Sequence, residues 1–485
     1  MKRLFSRDKT ITWLLSIAAV LVLFLTDCLP EYSIDTYSTF ASSEWEWMLY
    51  GNGRIISAAV YWLYETYLNW SMPVTYVVSY AIGTVFLILA VYRTARVYEQ
   101  YCPDALTAVF LAAFVLLNLF CIQFYLFVET GLLNASVFFA VLAFEALNRW
   151  WKEHKTRDLV LTEVWLFCAV FIYQTALGIF VVLCLPHLLE HTHDFRGFVK
   201  NNLILAGMYG NVMIIAWLIT RFVLANPRIG STMTMAETIR NTFVNMKDVF
   251  LVSCHVMPKY CFALLCTGAV LLAVFVILKA GRPMRLYEIP YLVFVDLLAG
   301  FALYFVKAST DFSPRIVYPF GALAGILLVH LFVNHHEAMM AVYEKPEKLW
   351  LALFAGVLLF QAANFTWIFR DRYRVNAKDR EICLQIGESI DRYEAETGST
   401  VTTITIYHDE QLTWNYPGMD GRGFNTRAFV EFWSDVNAVN CYLGRHYERG
   451  VAQAEYNDYF YGKNWDDFSA EQLVFDGDTL HLCVY

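Results

Sequence analysis

Eight apolar runs, at 11–29, 72–92, 106–127, 203–224, 261–280, 287–306, 315–333 and 348–369, are each long enough to cross a hydrocarbon layer about 30 Å thick. They constrain the fold more than any motif does. In lipid every backbone N–H and C=O must find a partner within the protein, and isolated segments of this length manage that only as α-helices. The composition agrees: 58% of the 485 residues are hydrophobic and 16% charged, which excludes one soluble core. Two more runs, 130–148 and 159–190, need a topology before they can be read.

Lys and Arg in short loops stay on the cytoplasmic side. With the N-terminus inside, Arg93 to Arg96, Arg149 to Arg157, Arg196 to Lys200, Gly281 to Arg285 and Glu344 to Lys348 all fall inside if 54–70 does not cross. That stretch, rich in Tyr and Trp, is expected as a juxtamembrane helix on the outer face. Residues 159–190 then count as two short crossings meeting near Tyr173-Gln174. The expected architecture is a polytopic all-α membrane domain over 1–369 with about eleven transmembrane helices, N-terminus inside. The first run has a basic start but no small-residue cleavage site, so it reads as a retained anchor, and Cys28 at its end as an ordinary apolar residue.

Residues 370–485 turn rich in Asp, Glu, Arg, Asn and Gly. They predict a small extracytoplasmic α/β domain with a helix near 376–396, a strand at 401–407, a helix near 426–440 and a hairpin at 472–484 about Asp476-Gly477-Asp478. Cys383, Cys441 and Cys483 show no zinc spacing, and one disulfide among them is compatible with an oxidising exterior. A net charge of −8 gives no basic footprint for nucleic acid. There is no Walker loop, dinucleotide fingerprint or internal repeat.

The ionisable groups expected outside are Asp35, Glu44, Glu46, Arg54, Glu129, the 225–260 loop and the stretch Lys307 to Arg315. Sugar transfer from a polyprenyl-phosphate carrier needs a carboxylate to take the acceptor hydroxyl's proton, and cations or a metal to meet the departing phosphate. Asp35 is the candidate base; the competing structural use is a helix cap in Ser33-Ile34-Asp35-Thr36. Glu129, in a short outer loop, is a candidate second catalytic or metal-binding acid. Arg54, Lys307 and Arg315 are candidate clamps on the lipid phosphate, against the alternative of snorkelling to headgroups. Tyr173 and Gln174 either line the site or satisfy broken backbone. Glu44 and Glu46 read as a solvated helix face. Asp296, in mid-helix, is expected protonated or hydrogen-bonded to a neighbouring helix. His187, His191 and His193 show no acidic partner in sequence, and His335-His336 reads as a solvated loop.

Asp35 after the first helix, Gly53-Arg54-Ile55-Ile56, Ile172-Tyr173-Gln174-Thr175 and Pro314-Arg315-Ile316-Val317 occur in an order that resembles the bacterial serotype-converting O-antigen glucosyltransferase family (Gtr type II-like), of the GT-C class of membrane glycosyltransferases. The resemblance implies a GT-C-like fold in the bacterial cytoplasmic (inner) membrane. It implies transfer of a glucosyl or similar residue from an undecaprenyl-phosphate sugar to an extracytoplasmic cell-envelope glycan. Asp35 matches the acid of the first outer loop and Arg54 the adjoining Gly-Arg position. The family often carries a denser acidic cluster near that acid; here Ile34 precedes it and Thr36-Tyr37 follows, so a divalent cation (Mg or Mn) stays an open expectation. The rival readings are a transporter or flippase for lipid-linked sugars, a glycan polymerase, and a non-catalytic scaffold.

Overall fold

The computed structural model describes residues 9–24, 31–39, 43–224, 234–307, 313–344, 346–407, 414–416, 418–419, 425–461 and 468–484. Cys28, Asp311, Pro417 and the stretch 225–233 lie outside the described residues, as do the side chains of 303–307, including Lys307. The chain is mostly helical. It divides into two compact units, the first made of Met1–Cys28, Trp45–Tyr125 and Glu129–Thr366, the second of Leu29–Glu44, Leu126–Val128 and Trp367–Tyr485.

Among the described residues, five helices are long and apolar enough to cross a membrane: Met72–Tyr98, Thr130–Glu153, Phe195–Val223, Cys261–Lys279 and Glu347–Thr397. The number rises to seven if two bent pairs each count as one span, Ala105–Leu116 with Leu119–Tyr125 (69°) and Tyr318–Asn334 with His336–Tyr343 (109°). Local chemistry sets the ends. Asp104 accepts the Thr107 N–H at 2.8 Å and opens the first bent pair, and Asp194 accepts the Gly197 N–H at 2.6 Å and opens the helix that begins at Phe195. Residues 159–190 form two helices, Thr156–Ile172 and Ala176–Glu190, parted at Tyr173 to Thr175 as the sequence suggests. Residues 54–70 form a nine-residue helix, Ile55–Leu63, followed by a π turn, Tyr64–Leu68.

The break between Leu116 and Leu119 is a polar device in an apolar setting. Asn118 donates to the carbonyls of Val115 (2.9 Å) and Tyr318 (3.2 Å) and accepts the Phe120 N–H at 3.0 Å. Gln361 donates to the Leu117 carbonyl, which the interrupted helix no longer pairs. Two amide side chains thus satisfy backbone groups that lipid would leave stranded.

Glu347–Thr397 is one 51-residue helix, about 77 Å long at 1.5 Å per residue. Sequence reading separates a span at 348–369 from a helix at 376–396, but no Pro or Gly stands between Val357 and Ile386 to break them apart. Its first part belongs to the first unit and its remainder to the second. In the second part Asp371, Arg372, Val375, Asn376, Asp379, Ile382, Cys383, Ile386 and Ile390 are buried at three- and four-residue spacing, one face of an amphipathic helix.

The second unit contains a four-stranded sheet of β1 (Thr403–Tyr407), β2 (Glu448–Arg449), β3 (Leu473–Asp476) and β4 (Thr479–Cys483), in the order β2-β1-β4-β3. β1 runs parallel to β2 and β4, while β3 and β4 form the expected hairpin, with Gly477 at φ +60 in the turn. Ile404, Thr405 and Ile406 are all buried, as befits a strand covered on both faces. The helix expected near 426–440 forms at Asp435–Leu443. Cys383 is a buried free thiol.

Asp379 lies in this unit's core. Its Oδ1 accepts from the Tyr416 hydroxyl (2.7 Å) and the Ala428 N–H (3.0 Å), and burial pushes its pKa up to about 6. An acid with a raised folded pKa binds its proton more tightly folded than unfolded. Its stabilising contribution is therefore complete below about pH 4 and lost as the pH rises through about 6. The loss is about 2 to 3 kcal/mol at most. Between pH 4.5 and 7.5 the thermal midpoint of Asp379→Asn should depend less on pH than that of wild type, with the variant the more stable at pH 7.5. Identical slopes would refute the assignment.

Candidate functional site

Each unit carries part of what the sequence singles out. In the first, the chain enters a π turn at Trp47–Gly51, and Gly53 at φ +67 reverses it into the Ile55–Leu63 helix. That conformation suits glycine, and a Cβ at this position would also lie 2.6 Å from Thr220 Oγ1. The reversal sets the Arg54 guanidinium 4.6 Å from the centroid of the Tyr173 ring. Gln174 Nε2 donates to the Asn52 carbonyl at 3.1 Å, and Ser57 Oγ to the Ile172 carbonyl at 3.2 Å. The turn at 47–54 is therefore stitched to the break between the Thr156–Ile172 and Ala176–Glu190 helices.

The contacts continue. Phe124 packs edge-on against Tyr173 (5.6 Å) and Tyr318 (5.0 Å). Next to it, the buried Gln123 Oε1 accepts from the Ser313 hydroxyl and from the Arg315 N–H at 2.6 Å. The structure thus joins Arg54 to Tyr173 directly, Gln174 to Asn52 in the same turn, and Arg315 to them through the Leu119–Tyr125 turn. Gln123 carries no sequence signal beyond its polarity in an apolar run. Gln174 satisfies backbone, the structural use weighed for it above. Glu129 stands at the N-cap position of the Thr130–Glu153 helix with its side chain not used as a cap. Lys307 ends the Glu288–Lys307 helix.

In the second unit, Asp35 lies in the first turn of the short Ile34–Thr39 helix. Capping falls to Ser33: its Oγ accepts the Thr36 N–H at 3.3 Å, and Thr36 Oγ1 accepts the Ser33 N–H at 3.2 Å. Asp35 Oδ1 accepts the Trp433 indole N–H at 3.2 Å. The segment is fastened on both sides of Asp35, by Tyr32 to Asn376 (N–H to Oδ1 2.6 Å, Nδ2 to O 2.9 Å) and by Tyr37 to Tyr442 (hydroxyls 2.9 Å apart). Burial raises the Tyr37 and Tyr442 hydroxyls well above the usual tyrosine range, so both stay neutral donors and acceptors.

Several polar groups depart from expectation. Glu44 is buried, at 5% exposure, while Glu46 is exposed as expected. His187 does have an acidic partner: Glu190, one turn on, lies 3.2 Å from its Nδ1 and also accepts from Tyr101 at 2.7 and 2.6 Å. A helical i, i+3 spacing makes that pair legible in sequence. Asp296 is fully buried, and neither carboxyl oxygen has a hydrogen-bond partner among the described residues, so the expected bond to a neighbouring helix is not seen.

His335 is not in a solvated loop. It is buried at the 109° bend, whereas His336 is exposed. Glu288 Oε2 lies 2.8 Å from His335 Nε2 and 3.2 Å from His330 Nε2, the one Glu/His/Cys/Asp group with metal-binding spacing among the described residues. The surrounding hydrogen bonds argue for a different use. Asn334 Nδ2 donates to the Pro186 carbonyl at 2.8 Å and faces His330 Nδ1 at 3.0 Å, which makes Nδ1 the acceptor and leaves the proton on Nε2. A metal-ligating imidazole instead donates from its outer nitrogen, and His335 Nδ1 has no partner among the described residues. The group is a hydrogen-bonded clamp joining the start of one helix to the bend of another. Glu288→Leu, which strands both imidazoles, should cost about 3 kcal/mol and lower the thermal midpoint; an unchanged midpoint would show that the clamp is idle.

In comparisons with protein-family models and with curated proteins, the chain matches none.

Proposed function

We propose that this chain is a GT-C-like membrane glycosyltransferase. In this reading it moves a sugar, glucose by the resemblance, from a polyprenyl-phosphate carrier to an extracytoplasmic glycan in the cell envelope. The supporting observation is the state of Asp35: capping is done by Ser33, and the carboxylate is oriented by the Trp433 indole. A neutral N–H donor fixes a carboxylate's orientation without supplying a charge that would compete for its proton-accepting role.

The reaction is a single displacement. Asp35 takes the proton of the acceptor hydroxyl as that oxygen bonds to the anomeric carbon, the bond from that carbon to the phosphate oxygen breaks, and the sugar inverts. The polyprenyl phosphate leaves with the bonding electrons; Arg54, Arg315 and Lys307 are the cations, and Glu129 the second acid, that the sequence reading assigns to the reaction. Tyr173 supports Arg54 from beneath its guanidinium plane. Among the described residues, no three-residue donor set of metal-binding spacing contains Asp35. About eleven crossings, an N-terminus inside and the C-terminal sheet outside complete the proposal, with the inner membrane of a bacterium as its location.

The test is transfer of radiolabelled sugar from synthetic polyprenyl-phosphate glucose, and from a panel of other sugar carriers, to envelope glycan by the purified full-length chain. Turnover with any of these donors supports the reading. Folded protein that turns over none of them, with acceptor present, moves the weight to transport, where bent helices and a buried Asp296 would have a use.

A further inference from the structure

Away from these groups, the ends of three helices enclose a cavity of about 450 Å³. Lys9 starts the Lys9–Phe24 helix, Arg93 and Arg96 lie near the end of Met72–Tyr98, and Arg149 and Lys152 near the end of Thr130–Glu153. Five cations line the cavity against one carboxylate, Glu145.

The carboxylates present do not saturate them. Glu145 accepts from Arg93 through both oxygens, with the Nε bond at 2.8 Å, and lies 3.9 Å from Arg149. Arg149 reaches Asp158 at 3.1 Å and Arg96 reaches Glu99 at 2.5 Å. Each guanidinium has five N–H groups and spends only one or two on these partners. Among the described residues, Lys152 Nζ meets only the neutral Gln100 Oε1, at 3.1 Å. Within the same cavity Asn148, 5% exposed, carries a side-chain oxygen with no hydrogen-bond partner among the described residues. A buried amide oxygen left without a donor is costly, so the cavity asks for a ligand that both accepts from cations and donates a hydrogen bond.

Depth identifies the source. Trp13 packs edge-on against Tyr92 at 5.1 Å beside the cavity, and Trp150 and Trp151 occupy the end of the Thr130–Glu153 helix, the aromatic marking of a membrane interface. Basic pockets between transmembrane helices at that depth on the cytoplasmic side suit anionic lipid headgroups. We infer that this cavity holds the headgroup of an anionic phospholipid bearing a free hydroxyl, of the phosphatidylglycerol type. Its phosphodiester lies among Lys9, Lys152 and the outer edges of the arginines, and its hydroxyl donates to Asn148 Oδ1.

The inference stands apart from any catalysis, and its test reads lipid alone. Full-length protein stripped of lipid in detergent is titrated with phosphatidylglycerol, phosphatidic acid, phosphatidylcholine and glycerol 3-phosphate, and bound lipid is counted by native mass spectrometry. Wild type should retain phosphatidylglycerol at least 10-fold better than phosphatidylcholine. In Lys9→Gln/Lys152→Gln, whose changes are at exposed positions and leave the thermal midpoint in place, that preference should collapse. Asn148→Leu should narrow the gap between phosphatidylglycerol and phosphatidic acid, which lacks the hydroxyl. Equal retention of the two diacyl lipids by wild type, an unaltered preference in the double variant, or millimolar glycerol 3-phosphate displacing the lipid would each overturn the assignment, the last by identifying a soluble phosphate ester as the ligand.

Discussion

Asp35→Asn protein, purified folded and with an unchanged thermal midpoint, should transfer sugar about 10²- to 10⁴-fold more slowly than wild type, the range lost with a general base. Asn keeps an oxygen to accept the Trp433 indole N–H, and the cap made by Ser33 and Thr36 does not involve position 35. The thermal midpoint therefore separates loss of fold from loss of the base. Trp433→Phe, which removes the indole donor while keeping a ring, should lower the rate less, because it frees the carboxylate's orientation without removing its basicity. Near-normal transfer by Asp35→Asn would refute the base assignment, and a loss in Trp433→Phe larger than in Asp35→Asn would refute the order of the two roles.

The second large effect is on folding. A Cβ at Gly325 would lie 2.7 Å from the backbone carbon of Phe114 and 2.8 Å from its oxygen, where no side chain can swing aside. The Leu323–Asn334 and Ala105–Leu116 helices thus pack backbone to backbone at this point, the close approach that small residues permit in membrane bundles. Gly325→Leu should cost about 3 kcal/mol or more, read as loss of the monodisperse peak in detergent and a lowered thermal midpoint. Gly207 is the control, because a Cβ there meets nothing within 4 Å. Gly207→Leu should leave the midpoint unchanged, and equal damage from both substitutions would show that the close crossing is not what Gly325 provides.

How far the sequence was legible differs between elements. The apolar helices, the terminal hairpin about Asp476-Gly477-Asp478, the strand through Thr403 to Tyr407 and the division of 159–190 at Tyr173 follow from local patterns of apolarity and turn residues. The unbroken Glu347–Thr397 helix reads from sequence as two elements, because the change in polarity near Arg370 is weighed above the absence of Pro and Gly between Val357 and Ile386. Glu190 beside His187 was within reach of helical spacing. The partners of Glu288 were not: His330 and His335 lie 42 and 47 residues away, the first within another helix and the second at that helix's 109° bend. Trp433 is 398 residues from Asp35, and no pattern in either neighbourhood announces the other.

The sequence by itself determined that this chain is helical and lipid-compatible, because stretches of about 20 apolar residues admit one backbone solution in a bilayer. It also determined that a polar module with a β-hairpin follows, and which ionisable residues stand outside the apolar runs. Only the tertiary structure decided what those residues touch: that Ser33 caps and Asp35 is oriented by Trp433, that Arg54 rests on Tyr173, and that three helix ends gather five cations around one cavity. The physical reason is one of range. Helix formation depends on neighbours within four residues, whereas a side chain's hydrogen bonds and charges depend on which distant segments the packing brings within about 3 to 4 Å.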